Sequence, residues 1–150
     1  MAAPGTFTSG QVLTAAEMNA LPGGIVGFNE NSTDVSLSNS STDLTSITLD
    51  VVSGRSYAIW FVCHNMKADQ SNTIIVFSIR LTGTGVVSSS NAFLASTTAR
   101  TNITPFYIEE AAASESREYK VTASTNTGTG SAFGASYPMQ MFIADLGENV

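Results

Sequence analysis

Hydrophobic and polar residues alternate through most of this 150-residue chain. Ile47, Leu49 and Val51 alternate with Thr48 and Asp50, which is the period expected of a strand with one buried face. Turn-type residues separate such runs, and about eight runs can be distinguished. This pattern predicts a mainly β protein, an antiparallel β-sandwich of the jelly-roll type. Other clear runs are NAFLAST, TPFYIEE, REYKVTAS and YPMQMFIADLG.

Two of the predicted strands are apolar on both faces. In RSYAIWFVCH, Trp60 and Val62 lie on the face opposite to Ile59 and Phe61, and TIIVFSIRL repeats the pattern. A two-layer sandwich covers only one side of each sheet, so the second face requires another contact. A neighbouring subunit is the simplest source, which predicts Trp60 and Val62 at an interface. The alternative is cover by loops or by the N-terminal helix of the same subunit.

A short helix is predicted near the N-terminus. Thr14 is a suitable N-cap and Glu17 follows three residues later, so each side chain can accept a hydrogen bond from a free backbone N–H. Leu13 and Met18 occupy the positions of a hydrophobic staple, and the proline after Leu21 ends the helix. So short a helix does not persist alone in water and must dock on the sandwich or on another protein. Its apolar residues are Val12, Leu13, Met18 and Leu21.

Composition narrows the range of partners. Charged residues make up only 12% of the chain, whereas Ser and Thr fill 38 of its positions. The net charge is −6 and the six basic residues are scattered, so the sequence contains no positive stripe for a phosphate backbone. No apolar stretch approaches the roughly 18 residues of a membrane span. We therefore expect neither nucleic acid nor a membrane as partner.

Candidate catalytic residues are few. His64 is the sole histidine and no G-x-S-x-G motif occurs, so we expect His64 at a strand end, bonded to the backbone. Cys63 has no disulfide partner, and its apolar neighbours predict a core thiol. Calcium near Glu30 and Asp34 is an alternative, although the spacing is not that of an EF-hand. We predict no enzymatic activity, no cofactor and no metal. A solvated acidic loop and strand edge is predicted for Glu109, Glu110, Glu115 and Glu118.

The two ends of the chain resemble tailed-bacteriophage virion proteins, especially tail-fibre and minor tail proteins. The N-terminal match follows the pattern G-x-x-L-T-A-A-x-x-N-x-L-P-x-G-x-V-G, and the C-terminal match is a hydrophobic strand followed by Asp145, Leu146 and Gly147. Ala144 departs from the acidic residue usual in that ending. The resemblance implies a virion component, a homotrimer of β-sandwich domains attached near its N-terminal segment. The N-terminal residues that match are Gly10, Leu13, Thr14, Ala15, Ala16, Asn19, Leu21, Pro22, Gly24, Val26 and Gly27.

The leading hypothesis is a trimeric capsid decoration or cement protein, assembled in the bacterial host cytoplasm and located in the virion. Residues 1–28 are the predicted attachment arm, and residues 29–150 form the sandwich. The shortness of the chain favours decoration over a full tail fibre, and its partners would be major capsid or tail proteins. The alternative is a short tail or head fibre that binds a host-surface glycan through Tyr107, Trp60 or Phe93. An enzyme that acts on host polysaccharide is a third reading.

Overall fold

Residues 21–148 are described by the structure, a computed structural model of the chain. In this range, antiparallel strands form two sheets, which confirms the predicted mainly β, antiparallel architecture. All of the predicted helix except Leu21 lies outside the described residues, including Val12, Leu13, Thr14, Glu17 and Met18. The strands are β1 (Gly24–Asn31), β2 (Asp34–Leu37), β3 (Thr42–Val51), β4 (Arg55–Ala68), β5 (Thr73–Leu81), β6 (Gly85–Leu94), β7 (Thr101–Ile103), β8 (Phe106–Glu110), β9 (Glu115–Thr125), β10 (Gly130–Phe133) and β11 (Met139–Glu148).

The larger sheet is organised around β4. β11 and then β10 pair along one side of β4, and β8 and then β7 pair along the other. Beyond them, β1 pairs with β11 and β2 pairs with β10. Strands β7 and β8 therefore follow one another along one side of β4, and β10 and β11 follow one another along its other side. Strands β1 and β2 follow one another along β11 and β10. The sheet is thus four strand positions wide, of which β4 is continuous and the other three are each divided into two strands.

The smaller sheet has the strand order β3-β9-β5-β6, and the core lies between it and the larger sheet. Strand alternation explains which residues meet there: on β4, Ile59 and Phe61 are fully buried and Cys63 is 1% exposed. Phe61 stacks on Phe77 of β5, with ring centroids 6.1 Å apart. Each such side chain contributes about 1.5–3 kcal/mol on leaving water. The prediction that Cys63 is a core thiol is confirmed.

Two asparagines join the sheets at the side where β1 lies beside β3. Asn29 Nδ2 donates to the Ser46 carbonyl at 2.8 Å, and Asn31 Nδ2 donates to the Leu44 carbonyl at 2.6 Å. Between them and the start of β1, a β-carbon on Gly27 would come within 3.0 Å of a side chain of β3. These contacts fasten β1 to the sandwich. The predicted boundary between arm and sandwich, after residue 28, lies within this strand.

Glu109 is buried, contrary to the prediction that it belongs to a solvated acidic loop. Glu109 is 5% exposed, and its carboxylate forms an ion pair with Arg117 of β9. Arg117 also pairs with the half-exposed Glu115. Alternation along β8 turns Glu109 towards the other sheet, and the guanidinium there compensates the buried charge. The pair therefore links the two sheets.

His64 does not occupy a strand end, contrary to the prediction. It is exposed in the interior of β4, because that strand continues to Ala68, beyond the predicted run.

Candidate assembly surface

Four aromatic side chains lie abreast on the outer side of the larger sheet. Phe28, Phe142, Trp60 and Phe106 are direct cross-strand partners on β1, β11, β4 and β8. The Phe142 ring stacks on Trp60 at a centroid distance of 5.3 Å, and Phe28 contacts Phe142 at 5.0 Å. Phe28 and Phe106, at the two ends, are 53% and 52% exposed. We call these four residues the aromatic row.

A second apolar row runs parallel to the aromatic row, two residues further along β11, β4 and β8. It consists of Ile25, Ala144, Ala58 and Ile108, which are again partners across the strands. Ile25 and Ile108, at its ends, are 57% and 49% exposed. The two rows together form what we call the outer apolar face. Half-exposed aromatic rings contribute roughly 100 Å² each, so this face exposes on the order of 500 Å² of apolar surface.

The apolar character ends abruptly on both sides of the molecule. On the larger sheet, two residues beyond the aromatic row on β1 and β11, Gln140 Nε2 donates to Glu30 Oε2 at 3.0 Å. On the outside of the smaller sheet, Lys120 pairs with Asp43 at 2.9 Å, and Arg80 Nε donates to Thr122 Oγ1 at 3.2 Å. A contiguous apolar face of this size lies towards the upper end of the largest patch on a typical soluble monomer, about 300–600 Å², and patches of this size are often functional. The outer side of the smaller sheet also carries a smaller apolar group, in which the partly buried Ile74 pairs with the exposed Phe93 and Val76 lies two residues further along β5.

Trp60 and Val62 both lie on the outer side of β4, as the sequence predicted, and both are only partly buried. Trp60 belongs to the aromatic row, where Phe142 covers one side of its ring. Val62 is a cross-strand partner of Gln140 and stands at the polar margin. The described loops do not enclose these side chains. Their predicted contact with a neighbouring subunit stays a prediction.

Leu21 is the one residue of the predicted helix that the structure describes, and it is 41% exposed. Its carbonyl accepts a hydrogen bond of 2.8 Å from Arg55 Nη2. Arg55 Nε also contacts both carboxylate oxygens of Asp145, at 3.0 and 2.9 Å. Hydrogen bonding to Asp145 raises the pKa of the Arg55 guanidinium. The beginning of the described chain is thus tied to β4 and to β11.

The aromatic candidates for glycan stacking occupy different environments. Tyr107 is partly buried and packs against the core. Phe93 is 61% exposed on β6, far from the aromatic row in the strand order. Trp60 is partly covered by Phe142. The three side chains do not form one stacking surface.

The described residues contain little else that suggests chemistry. Burial raises the pKa of the Cys63 thiol to about 11, which keeps it protonated and unreactive near neutral pH. In residues 21–148, no three His, Cys, Asp or Glu side chains are grouped so that they could hold a metal ion. The same residues include no helix long and apolar enough to cross a membrane.

Comparisons with known proteins add a distant structural likeness. Neither a protein-family model nor a curated protein sequence matches the chain. It is similar to the VP2 subviral particle of infectious bursal disease virus, with 11% identity and a TM-score of 0.47 over 82% of this chain and 38% of that one. It is also similar to the EclA C-terminal domain, a sugar-binding protein, with 17% identity and a TM-score of 0.38 over 78% of this chain and 76% of that one.

An arabinose-bound GH51 α-L-arabinofuranosidase is a third similar structure, with 16% identity and a TM-score of 0.32 over 91% of this chain and 25% of that one. The chain therefore spans much less than two thirds of the viral and arabinofuranosidase chains. With TM-scores below 0.5, these likenesses assign no function.

Sequence reasoning missed most of the outer apolar face. Phe106 and Ile108 share one parity in TPFYIEE, opposite to Tyr107 and Glu109, but parity alone does not tell which side faces the core. The alignment of four aromatic residues depends on register between strands that are distant in sequence. In the sequence, Arg55 is one of six scattered basic residues. Its contact with Asp145, 90 positions away, gives no local signal.

Proposed function

We propose that this chain is a non-enzymatic bacteriophage virion structural protein, a homotrimeric capsid decoration or cement protein that attaches through its N-terminal arm. The observation that carries the proposal is the outer apolar face, whose four central aromatic side chains lie abreast on neighbouring strands. Such a face is costly to leave in water. Its burial against neighbouring copies in the trimer would remove this apolar surface from water.

Cementing requires contact area and no chemistry. At about 25 cal/mol per Å², covering roughly 500 Å² on each copy corresponds to about 12 kcal/mol of gross apolar stabilisation, before the costs of association. Repetition over many copies allows such contacts to oppose pressure from a packaged genome. The resemblance of the two chain ends to tailed-phage virion proteins supports the virion location, the trimer and the phage origin.

We further infer that the sandwich is a jelly roll. When the consecutive strand pairs of the larger sheet are counted as single strands, residues 21–148 form eight strands in two four-stranded layers. The first and last of these strands are neighbours, as the pairing of β1 with β11 illustrates. Eight strands divided between two four-stranded sheets are typical of the jelly roll.

The second candidate is a short tail or head fibre that binds a host-surface glycan. The exposed Phe93 is the observation that favours it, since an aromatic ring presented on an edge strand can stack on a sugar. Binding of the isolated protein on a glycan array, lost in Phe93→Ser, would support the fibre.

The deciding experiment is a count of copies per purified virion by quantitative mass spectrometry. A decoration protein is expected at hundreds of copies distributed over the shell. A few copies restricted to the tail would refute decoration and favour the fibre. Deletion of residues 1–20 should leave a folded sandwich that no longer attaches. Loss of folding in that deletion would instead assign the arm to the sandwich's own core.

A further inference from the structure

A nearly buried ion pair lies where the N-terminal arm joins the sandwich. Arg55 and Asp145 are only 13% and 11% exposed at their side chains, and their closest contact is 2.7 Å, from Arg55 Nη2 to Asp145 Oδ2. Arg55 lies on β4 and Asp145 on β11, so the pair is held by two neighbouring strands of the larger sheet. Arg55 Nη2 also donates to the Leu21 carbonyl at 2.8 Å. One guanidinium thus binds both a carboxylate and the backbone of the arm.

The backbone around this junction is shaped to let the arm approach. A β-carbon on Gly23 would lie 2.7 Å from Asp145 Oδ2, so a larger residue there would require the Asp145 side chain or the backbone to move. Gly24 has a φ of 72°, a conformation that favours glycine. Asp145 Oδ1 additionally accepts a hydrogen bond of 2.9 Å from the Gly147 backbone N–H. The Asp145 carboxylate is therefore held by hydrogen bonds from both Arg55 and the Gly147 backbone.

We propose that Arg55 and Asp145 form a clamp that holds Leu21 to Gly24 against the sandwich and fixes the point and direction from which residues 1–20 leave it. Arg55 and Asp145 are positioning residues and do not themselves contact the virion. This inference rests on the proposed function, because a fixed exit matters where the arm must meet a partner surface in register with its own sandwich. A freely pivoting arm would lose that preorganisation.

The test uses a paired substitution that removes the clamp without stranding a charge. Replacing both members of a buried ion pair by neutral side chains is often tolerated, whereas removing one leaves the other uncompensated. Arg55→Met with Asp145→Asn retains an acceptor for the Gly147 N–H. The matched control is Lys120→Met with Asp43→Asn, which removes the exposed pair on the smaller sheet.

Hydrogen exchange of the full-length chain is the direct readout. In the clamp variant, the amides of Gly23 to Val26 should exchange about ten- to a hundredfold faster, as expected from loss of a charge-assisted hydrogen bond. The control variant should exchange like the wild type. Gly23→Ala, which forces the backbone and the Asp145 side chain apart while leaving both charges in place, should reproduce the acceleration. Unchanged exchange in a folded clamp variant and in Gly23→Ala would overturn the clamp.

Binding to purified particles stripped of this protein separates the clamp from the proposed function. Faster exchange together with weaker particle binding supports both. Faster exchange with full particle binding supports the clamp and overturns attachment through a fixed arm. Unchanged exchange overturns the clamp whatever the particles bind.

Discussion

Phe106→Ser offers the sharpest test of the outer apolar face as an assembly surface. Phe106 ends the aromatic row on the edge strand β8 and is 52% exposed. Its backbone carbonyl accepts a hydrogen bond of 2.9 Å from Ser88 Oγ, which the substitution preserves. Because the ring is half in solvent already, its removal should disturb the folded subunit little.

The expected effect on assembly follows from the exposed area. A phenylalanine that is about half exposed presents roughly 100 Å² of ring surface. Complete burial of that surface at about 25 cal/mol per Å² stabilises the assembly by about 2.5 kcal/mol for each ring. Loss of this amount weakens association about 70-fold.

Phe93→Ser is the matched control, since Phe93 is also an exposed phenylalanine on an edge strand, but of the smaller sheet. Sedimentation velocity over a dilution series gives the association constants of both variants and the wild type, and urea unfolding verifies their stability. Weaker assembly is expected for Phe106→Ser alone. Equal association constants for the two variants would refute the assignment of the interface to the outer apolar face.

Further predictions concern stability. Burial raises the pKa of Tyr119 to about 12 from its ordinary value of 10.0, so the folded state holds this proton more tightly than the unfolded chain. The resulting contribution to the free energy of unfolding is present below pH 10 and is lost as the pH rises towards 12. Urea melts across this pH range should show the loss. Tyr119→Phe should remove that loss. Glu109→Gln should cost about 2 kcal/mol, because the Arg117 guanidinium would then keep only the half-exposed Glu115 as its charged partner, whereas the exposed Glu110→Gln should stay within about 0.5 kcal/mol in the same melts. Thr14→Ala should cost about 1 kcal/mol at the predicted helix start; unchanged melting and unchanged particle attachment would argue against the N-cap.

The sequence anticipated those parts of the fold that depend on local alternation. The inward side chains of β4 and the buried Cys63 follow from a period of two, and Trp60 and Val62 fall on the outer side for the same reason. Glu109 was misjudged because its compensating partner Arg117 belongs to another sheet. A charged residue is expected at the solvent-exposed surface unless a partner that compensates its charge is known.

The candidate surface was only half visible in the sequence. The second apolar face of β4 could be read directly, but its continuation through Phe28 and Phe106 required the register of three other strands. Pairing between strands as distant as β1 and β11 follows from the whole topology rather than from either segment. The clamp illustrates the same limit, since Arg55 and Asp145 meet only when β4 and β11 are aligned.

Sedimentation equilibrium of the full-length wild-type chain tests the central claim most directly, because the account requires the outer apolar face to be buried between copies. The account predicts a particle of three times the 15.7 kDa chain mass, together with a blue-shifted emission of Trp60, the single tryptophan, relative to the dissociated Phe106→Ser variant. A stable 15.7 kDa monomer at high concentration, with the same emission as that variant, would contradict it.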